Sequence, residues 1–474
     1  MTDLYNNLEA IFHPRSIAFV GIITSNPFHW TRTFWDAARK LNFKGNIYPV
    51  NPKGGEIDGH IVYTNLEDLP AGVDYAICTV AARTAPEIVR QCAARGVKAI
   101  HLCTAGFAET GEADVAGLQK EISETARRTG IRVIGPNCMG LYCPESRVSW
   151  DADFPPESGS VGLISQSGSN ANTLIREAAQ RGIRFSKAVS FGNACDLNEC
   201  DFLEYMMEDP ETKIIALYLE GISDGSRFFK LIKQISGKKP VVLIKGGYGS
   251  GGARATATHT ASLAGSNAMW DTFCRQMNVM RVTNIQQLVD LLVALTFVPG
   301  ISGRNAALIG VGGGATVIIT DEFERRGFNL PALPHHLFKE LLSFSQAEGN
   351  MLHNPIDFSQ SMHLPGALHR AIKLLTDWDH IDFCVSFFST GPMSEAHIPS
   401  ILGMDILTKV GEVKTAKPLI SIFEEGLTPS RNDLIFKLRQ KVSQASKPVF
   451  YRFGDAADAL KAVIDYNQRR LIRN

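Results

Sequence analysis

At 474 residues the chain is too long for one compact core, and at roughly 100 to 200 residues per domain it divides into about two to four. Hydrophobic residues make up 45% and charged residues 20%, an ordinary globular balance that excludes a disordered or fibrous chain. Lysine plus arginine equals aspartate plus glutamate at 48 each, so there is no broad basic field for nucleic acid or an anionic membrane, and an anionic ligand must be met by local features.

The N-terminus, MTDLYNNLEAIF, carries acids and lacks the basic region and apolar stretch of a secretory signal. No apolar run reaches the roughly 18 to 20 residues of a membrane helix. The 9 cysteines are scattered through apolar runs without a CxxC pair. Cys195 and Cys200 have no histidine at metal-ligand spacing, so neither zinc nor a disulfide framework is expected. These features predict a cytosolic, metal-free protein.

From Ser16 onward short β-branched runs alternate with amphipathic stretches, the pattern of a parallel sheet covered by helices. The first block offers strands at 16–21, 46–50, 74–80, 98–104 and 132–135, with a helix such as PEIVRQCAARG (86–96) stopping at glycine. Residues 144–160, PESRVSWDADFPPESGS, are polar and proline-rich and read as a linker or loop. Alternation restarts at 161–165, 187–192, 213–220 and 239–246, breaks at VPGISGR (298–304), and restarts at 305–311, 383–389, 418–423 and 448–451. The fold class predicted is α/β with three doubly wound domains, at 1–143, 144–300 and 301–474.

Parallel sheets bind ligands where strands turn into helices at their carboxyl ends. The first such turn, VGIITSNPFHW, keeps Gly21 but not the GxGxxG of a dinucleotide site, which removes the main support for a dehydrogenase. Gly21, Thr24 and Ser25 could still aim backbone donors at a pyrophosphate, and Asn51, Pro52 and Lys53 follow the second strand, where a cation could meet phosphate. At 165–169 SQSGS closes a strand and opens a helix, so hydroxyls, glycine and a helix N-terminus combine as an anion site; plain N-capping by serine is the alternative. SFGNACD (190–196) is a second such turn.

His259 stands alone among small and hydroxyl residues in TATHTASLAG, downstream of the glycine-rich KGGYGSGGAR. The strand KIIALYLEG ends in Glu220. A carboxylate there could fix one imidazole nitrogen and leave the other free to attack phosphorus, a step that asks mainly for positioning and charge stabilisation. A structural or capping histidine is the alternative.

The runs HPRSIAFVG, NIYPVNPK, TAGFAETG, GPNCMG, SQSGS, FGN, LYLEGI and THTASLAG occur in the order found in ADP-forming acyl-CoA synthetases, the group related to succinyl-CoA synthetase. The resemblance is strong over about 8–295 and continues through NPIDF (354–358) in the third block. It implies a Rossmann-like CoA-binding domain followed by two flavodoxin-like, succinyl-CoA-ligase-like domains. The reaction implied joins a small carboxylic acid to CoA while ATP becomes ADP and phosphate, through an acyl phosphate and a phosphohistidine. His259 would be that histidine and Glu220 its orienting acid. Gly21, Ser25, Asn51, Lys53, Thr79 and Ala81 would lie along CoA, while Asn137, Ser165, Ser167, Gly168, Gly192 and Asn193 would surround the phosphate and substrate.

None of the blocks has the pattern of an ATP-grasp module. The chain therefore resembles an α subunit whose ATP and magnesium are held by a separate ATP-grasp β subunit, naturally as α2β2. Thr258 and Ala261 stand where the family usually has serine and glycine, and VGII replaces the usual small-residue VGAS turn. Other readings kept open are a non-catalytic CoA or acyl-CoA sensing module and a transferase running acyl or carbamoyl phosphate chemistry.

Overall fold

The computed structural model describes residues 3–249, 251–252, 267–345, 351–361, 364, 366–389, 413–426 and 428–473. After helix α1 (Asp3–Phe12) come β1 (Ser16–Val20), α2 (Thr33–Lys40), β2 (Asn46–Val50), the antiparallel ribbon β3 (Glu56–Ile57) and β4 (His60–Ile61), and β5 (Tyr75–Cys78). There follow α3 (Ala85–Ala94), β6 (Ala99–Leu102), α4 (Ala113–Thr129) and β7 (Arg132–Ile134). The first sheet is wholly parallel in the order β2-β1-β5-β6-β7. Its strands are apolar on both faces because helices cover both: Val20, Ile100 and Val133 pack with Val89 of α3 and Ile122 of α4 on one, and Phe19 meets Trp35 of α2 edge-on at 5.4 Å on the other.

The second sheet takes β8 (Gly140–Tyr142), β9 (Val161–Ser165), β10 (Phe185–Ser190), β11 (Ile214–Leu219), β12 (Val241–Lys245) and β13 (Met280–Val282) in the order β13-β12-β11-β9-β10-β8. All its pairs are parallel except β8 on β10. Its crossovers include α5 (Gly168–Gln180), α6 (Glu199–Glu208) and α7 (Gly225–Ile235). The two sheets belong to one compact unit, Met1–Ala179 with Arg184–Leu288. Within it α1 reaches across to α6, where Phe12 stacks on Tyr205 at 5.0 Å and the Tyr205 hydroxyl donates to Glu9 Oε2 at 2.5 Å.

Residues 144–160, expected as a linker or loop, form an irregular segment, as a loop would, but one that is packed. Val148 bridges to Cys143, while Trp150 and Phe154 are buried edge-on against Tyr142 at 6.2 and 5.0 Å between ring centroids. The polar, proline-rich composition concealed them because aromatic anchors spaced along an irregular segment have no period to detect.

A second unit, Gln180–Ile183 with Val289–Asn474, contains the third sheet. Its strands are β14 (Ala306–Val311), β15 (Met351–Leu352), β16 (Ile356–Asp357), β17 (Phe383–Phe388), β18 (Leu419–Phe423) and β19 (Val449–Phe450), ordered β15-β16-β14-β17-β18-β19. The pair β15 and β16, within and beside NPIDF, is antiparallel and too short for a periodic signal.

Candidate active site

In a doubly wound sheet the crevice opens where successive crossovers leave a strand in opposite directions. In the second sheet β9 leads to β10 on one side and β11 leads to β12 on the other, so the crevice lies between the carboxyl ends of β9 and β11. Those ends carry SQSGS and Glu220.

Ser165, fully buried, donates its hydroxyl to Ser167 O at 2.7 Å and accepts from Ser167 N at 3.2 Å, which folds the chain sharply into α5. Ser167 Oγ lies 3.2 Å from Ser169 Oγ and accepts from Asn170 N at 3.4 Å. Gly168 opens the helix against the GPNCMG loop: a Cβ there would lie 2.6 Å from Met139 Cγ. The result is a 13-residue helix whose positive end faces its own serine-lined turn.

Glu220 is 9% exposed and accepts from the Tyr218 hydroxyl at 3.3 Å. Burial, with the Glu220 charge beside it, pushes the Tyr218 phenol up to about 12. Gln166 crosses the crevice, its carboxamide oxygen accepting from Glu220 N at 2.8 Å and Gly221 N at 3.0 Å. From β12 the Lys245 ammonium donates to Glu220 O and Gly246 O, each at 2.7 Å, and lies 5.8 Å from the Trp270 ring centroid. Burial draws the Lys245 pKa below the ordinary lysine value, and the Glu220 charge opposes that shift.

The FGN turn lies against GPNCMG rather than opening a helix. Gly192, at φ +53°, has no room for a side chain, because a Cβ would lie 2.3 Å from Pro136 O. Asn193 N and Cys195 N donate to Pro136 O and Gly135 O, each at 3.0 Å. The Asn193 amide donates to Glu109 Oε2 at 2.5 Å and Gln119 Oε1 at 3.0 Å, and Asn137 Nδ2 approaches Asn193 Oδ1 at 3.5 Å. Glu109 also accepts from Gly106 N at 2.6 Å and Phe107 N at 3.2 Å; these donors hold its carboxyl below the usual range against the opposing effect of burial. The next helix, α6, starts later and is closed by a capping box of Asn198 and Asp201.

By the same rule the first sheet's crevice lies between β1 and β5. Gly21, at φ +90°, donates to Val50 O at 2.9 Å, and a Cβ on it would lie 2.9 Å from Val80 Cγ1. Asn51 ties the turns together, its amide donating to Ile22 O at 2.8 Å while its oxygen accepts from Lys53 N at 3.0 Å. The Thr79 hydroxyl donates to Val20 O at 3.1 Å. Ser25, Lys53 and Ala81, in the turns after β1, β2 and β5, are exposed, as is Phe28 in the first of these turns at 94%.

Residues 15–144 match the family model of a CoA binding domain, and residues 158–295 that of a succinyl-CoA ligase like flavodoxin domain. The acetate–CoA ligase [ADP-forming] II subunit alpha of Pyrococcus furiosus is 31% identical over 459 residues, 96% of this chain and 97% of that one. The chain belongs to the α subunits of the ADP-forming acyl-CoA synthetases. Acetate–CoA ligase [ADP-forming] I of Archaeoglobus fulgidus is 32% identical over 385 residues, 81% of this chain but only 55% of the longer relative. Among solved structures, a dinucleotide-forming acetyl-coenzyme A synthetase 1 of Ca. Korarchaeum cryptofilum, in complex with phosphate and ADP, superposes with a TM-score of 0.82. It is 29% identical, and the match covers 98% of both chains.

In this synthetase subunit the fold brings Ser165, Ser167, Gly168 and Glu220 to one crevice and Gly21, Asn51 and Thr79 to another. Gly192, Asn193 and Asn137 meet at the seam of GPNCMG and FGN. His259 lies outside the described residues. Sequence reading passed over Gln166, Lys245, Tyr218 and Glu109. The rule that singled out Glu220, a charge closing a buried strand, also applies to KPVVLIK and its terminal Lys245. Gln166 carried no such signal, because its role depends on a neighbouring strand.

Proposed function

We propose that this chain performs the acyl-phosphate and phosphohistidine chemistry by which a small carboxylic acid, CoA and ATP become acyl-CoA, ADP and phosphate. His259 takes the terminal phosphoryl group of ATP and ADP leaves. A carboxylate oxygen of the acid then displaces the imidazole nitrogen at phosphorus, giving the acyl phosphate. The CoA thiolate adds to the acyl carbon and phosphate departs. Glu220 accepts a hydrogen bond from the second imidazole nitrogen, fixing the tautomer and balancing the charge on the phosphorylated ring. The first turn of α5, with Ser165, Ser167 and Gly168, receives phosphoryl oxygens through backbone N–H groups and the helix dipole. Gly192, Asn193 and Asn137 form the adjoining wall toward the acid.

CoA follows the crevice of the first sheet. The exposed Lys53 ammonium and Ser25 hydroxyl suit its phosphates and ribose, and Gly21, Asn51, Thr79 and Ala81 shape the turns beneath. The domains are assigned as 1–143 for CoA, 144–300 for the phosphohistidine and 301–474 for the second ligase-like domain. ATP and magnesium are held by a separate ATP-grasp β subunit in an α2β2 assembly, and the complex works in the cytoplasm. The alpha-subunit name of the 31% identical relative supports a separate partner.

The observation that carries this reading is Glu220, a buried carboxylate braced at the mouth of the crevice that also holds the α5 N-terminus. Mixed with its β partner and Mg-ATP, the chain is expected to gain an acid-labile, base-stable phosphate. Retention of that phosphate by His259→Ala would overturn the assignment.

A further inference from the structure

Glu220 is held from two sides by side chains that take no part in the reaction derived above. Beyond Leu219 the strand ladder ends, and the peptide groups there would ordinarily turn to water. Instead Gln166, from the β9 side, places its carboxamide oxygen between the consecutive N–H groups of Glu220 and Gly221, at 2.8 and 3.0 Å. Its own backbone N–H donates to Tyr218 O at 2.9 Å, so Gln166 is itself fixed to β11. On the other flank, the Lys245 ammonium takes Glu220 O and Gly246 O at 2.7 Å under the Trp270 ring. Lys245 is 6% exposed, so its charge is shielded from water and its hydrogen bonds to the carbonyls are strong. Gly246 completes the fit, since a Cβ there would lie 3.2 Å from both Glu220 Cγ and the Tyr218 hydroxyl.

Both ends of the Glu220 residue, its N–H and its C=O, are thus taken by side chains at the carboxyl ends of the two strands flanking β11. The backbone that bears the carboxylate cannot turn without breaking one of them. We propose that Gln166 and Lys245 are positioning residues which set the Glu220 carboxylate in the crevice without touching substrate. This rests on the reading of Glu220 as the acid that orients the phosphorylated histidine. A displacement of about 1 Å in such a group costs on the order of 100-fold in rate.

A double-mutant cycle on the reconstituted complex tests it, with the single-turnover rate of acid-labile phosphate incorporation from Mg-ATP as readout. Gln166→Met removes the acceptor and Lys245→Met removes the donor, each at nearly constant volume. In the native background each is expected to slow incorporation by about 10- to 100-fold. In the Glu220→Gln background, where no carboxylate remains to be positioned, each should slow it by less than about 2-fold. A merely structural role predicts the same factor in both backgrounds, and that result, or native rates in both single variants, would overturn the proposal. The two variants act from opposite flanks, so if one folds poorly the other decides the question. Full labelling of His259→Ala sinks the underlying histidine assignment. Native labelling rates in both methionine variants, with no labelling of His259→Ala, sink only the positioning role.

Discussion

The crevices of the first and second sheets are cut by the same topology, yet their side chains are used in opposite ways. In the first, the crevice floor is backbone and internally bonded polar groups, Gly21, Asn51 and Thr79, and the groups open to a ligand are exposed Ser25 and Lys53 at the rim. In the second, the Glu220 carboxylate is buried and accepts from Tyr218 on β11, while Gln166, just past β9, and Lys245 on β12 hold the backbone N–H and C=O of the same residue. A long, flexible, charged ligand can be gripped by a rim whose side chains adjust as it arrives. A phosphoryl group in transfer needs charges fixed before it arrives, because a carboxylate that must reorient during the reaction loses most of its benefit. On the proposed function, the difference separates a crevice that binds from one that reacts.

The sharpest way to break this comparison is at Glu220. Replacement by glutamine should lower single-turnover phosphorylation by about 1,000-fold or more, some 4 kcal/mol, while CoA affinity measured by calorimetry stays unchanged. Loss of CoA binding in that variant would mean that the two crevices are not functionally distinct.

The next effect belongs to the seam between the sheets. His101, fully buried on β6, sits 2.9 Å from Cys138 O through Nε2, and burial lowers its pKa from 6.5 to about 4. Its folded pKa lies below the unfolded value, so the unfolded chain binds the proton more tightly. Stability from this group is complete above pH 6.5 and is lost as pH falls toward 4, by up to about 3 kcal/mol. Denaturant titrations between pH 7 and 4.5 should show this slope, and His101→Gln should flatten it.

At the first crevice Lys53→Ala is expected to raise KM for CoA by about 10-fold, near 1.4 kcal/mol, with kcat unchanged, as befits a group that holds ligand and reaction state equally. A fall in kcat instead would move Lys53 into the chemistry. The smallest effect is expected at Asn198, which caps α6: Asn198→Ala should cost about 1 kcal/mol of stability by denaturant melt and leave turnover intact, because that helix end is closed by its own residues.

Much of the fold could be read along the chain, for a definite reason. Strands β1, β2, β5, β6, β9, β11, β12, β14, β17 and β18 are apolar on both faces, and such runs stand out from the helices between them. Strands β8, β13, β15 and β16, of two or three residues, carry no period and do not stand out in the sequence, whereas the equally short β7 and β19 show because each lies in a slightly longer apolar run, 132–135 and 448–451. The buried Trp150 and Phe154 were hidden by their proline-rich surroundings. At the site, Ser165, Ser167 and Gly168 were legible because a serine- and glycine-rich turn before a helix has a local physical meaning. Gly192 and Asn193 were legible as an unusual turn, but their partners, Pro136 O and Glu109, are remote in sequence and no spacing reveals them.

The order of strands and turns, the glycines at forced backbone angles, and the charges closing apolar strands are local properties, and the sequence by itself determined them. Which strands became neighbours was decided only by the tertiary structure, and that placed β11 between β9 and β12. From this single fact follow Gln166 on one flank of Glu220 and Lys245 on the other. Hydrogen bonds across a parallel sheet join residues 54 and 25 positions apart, and no local pattern encodes such a separation.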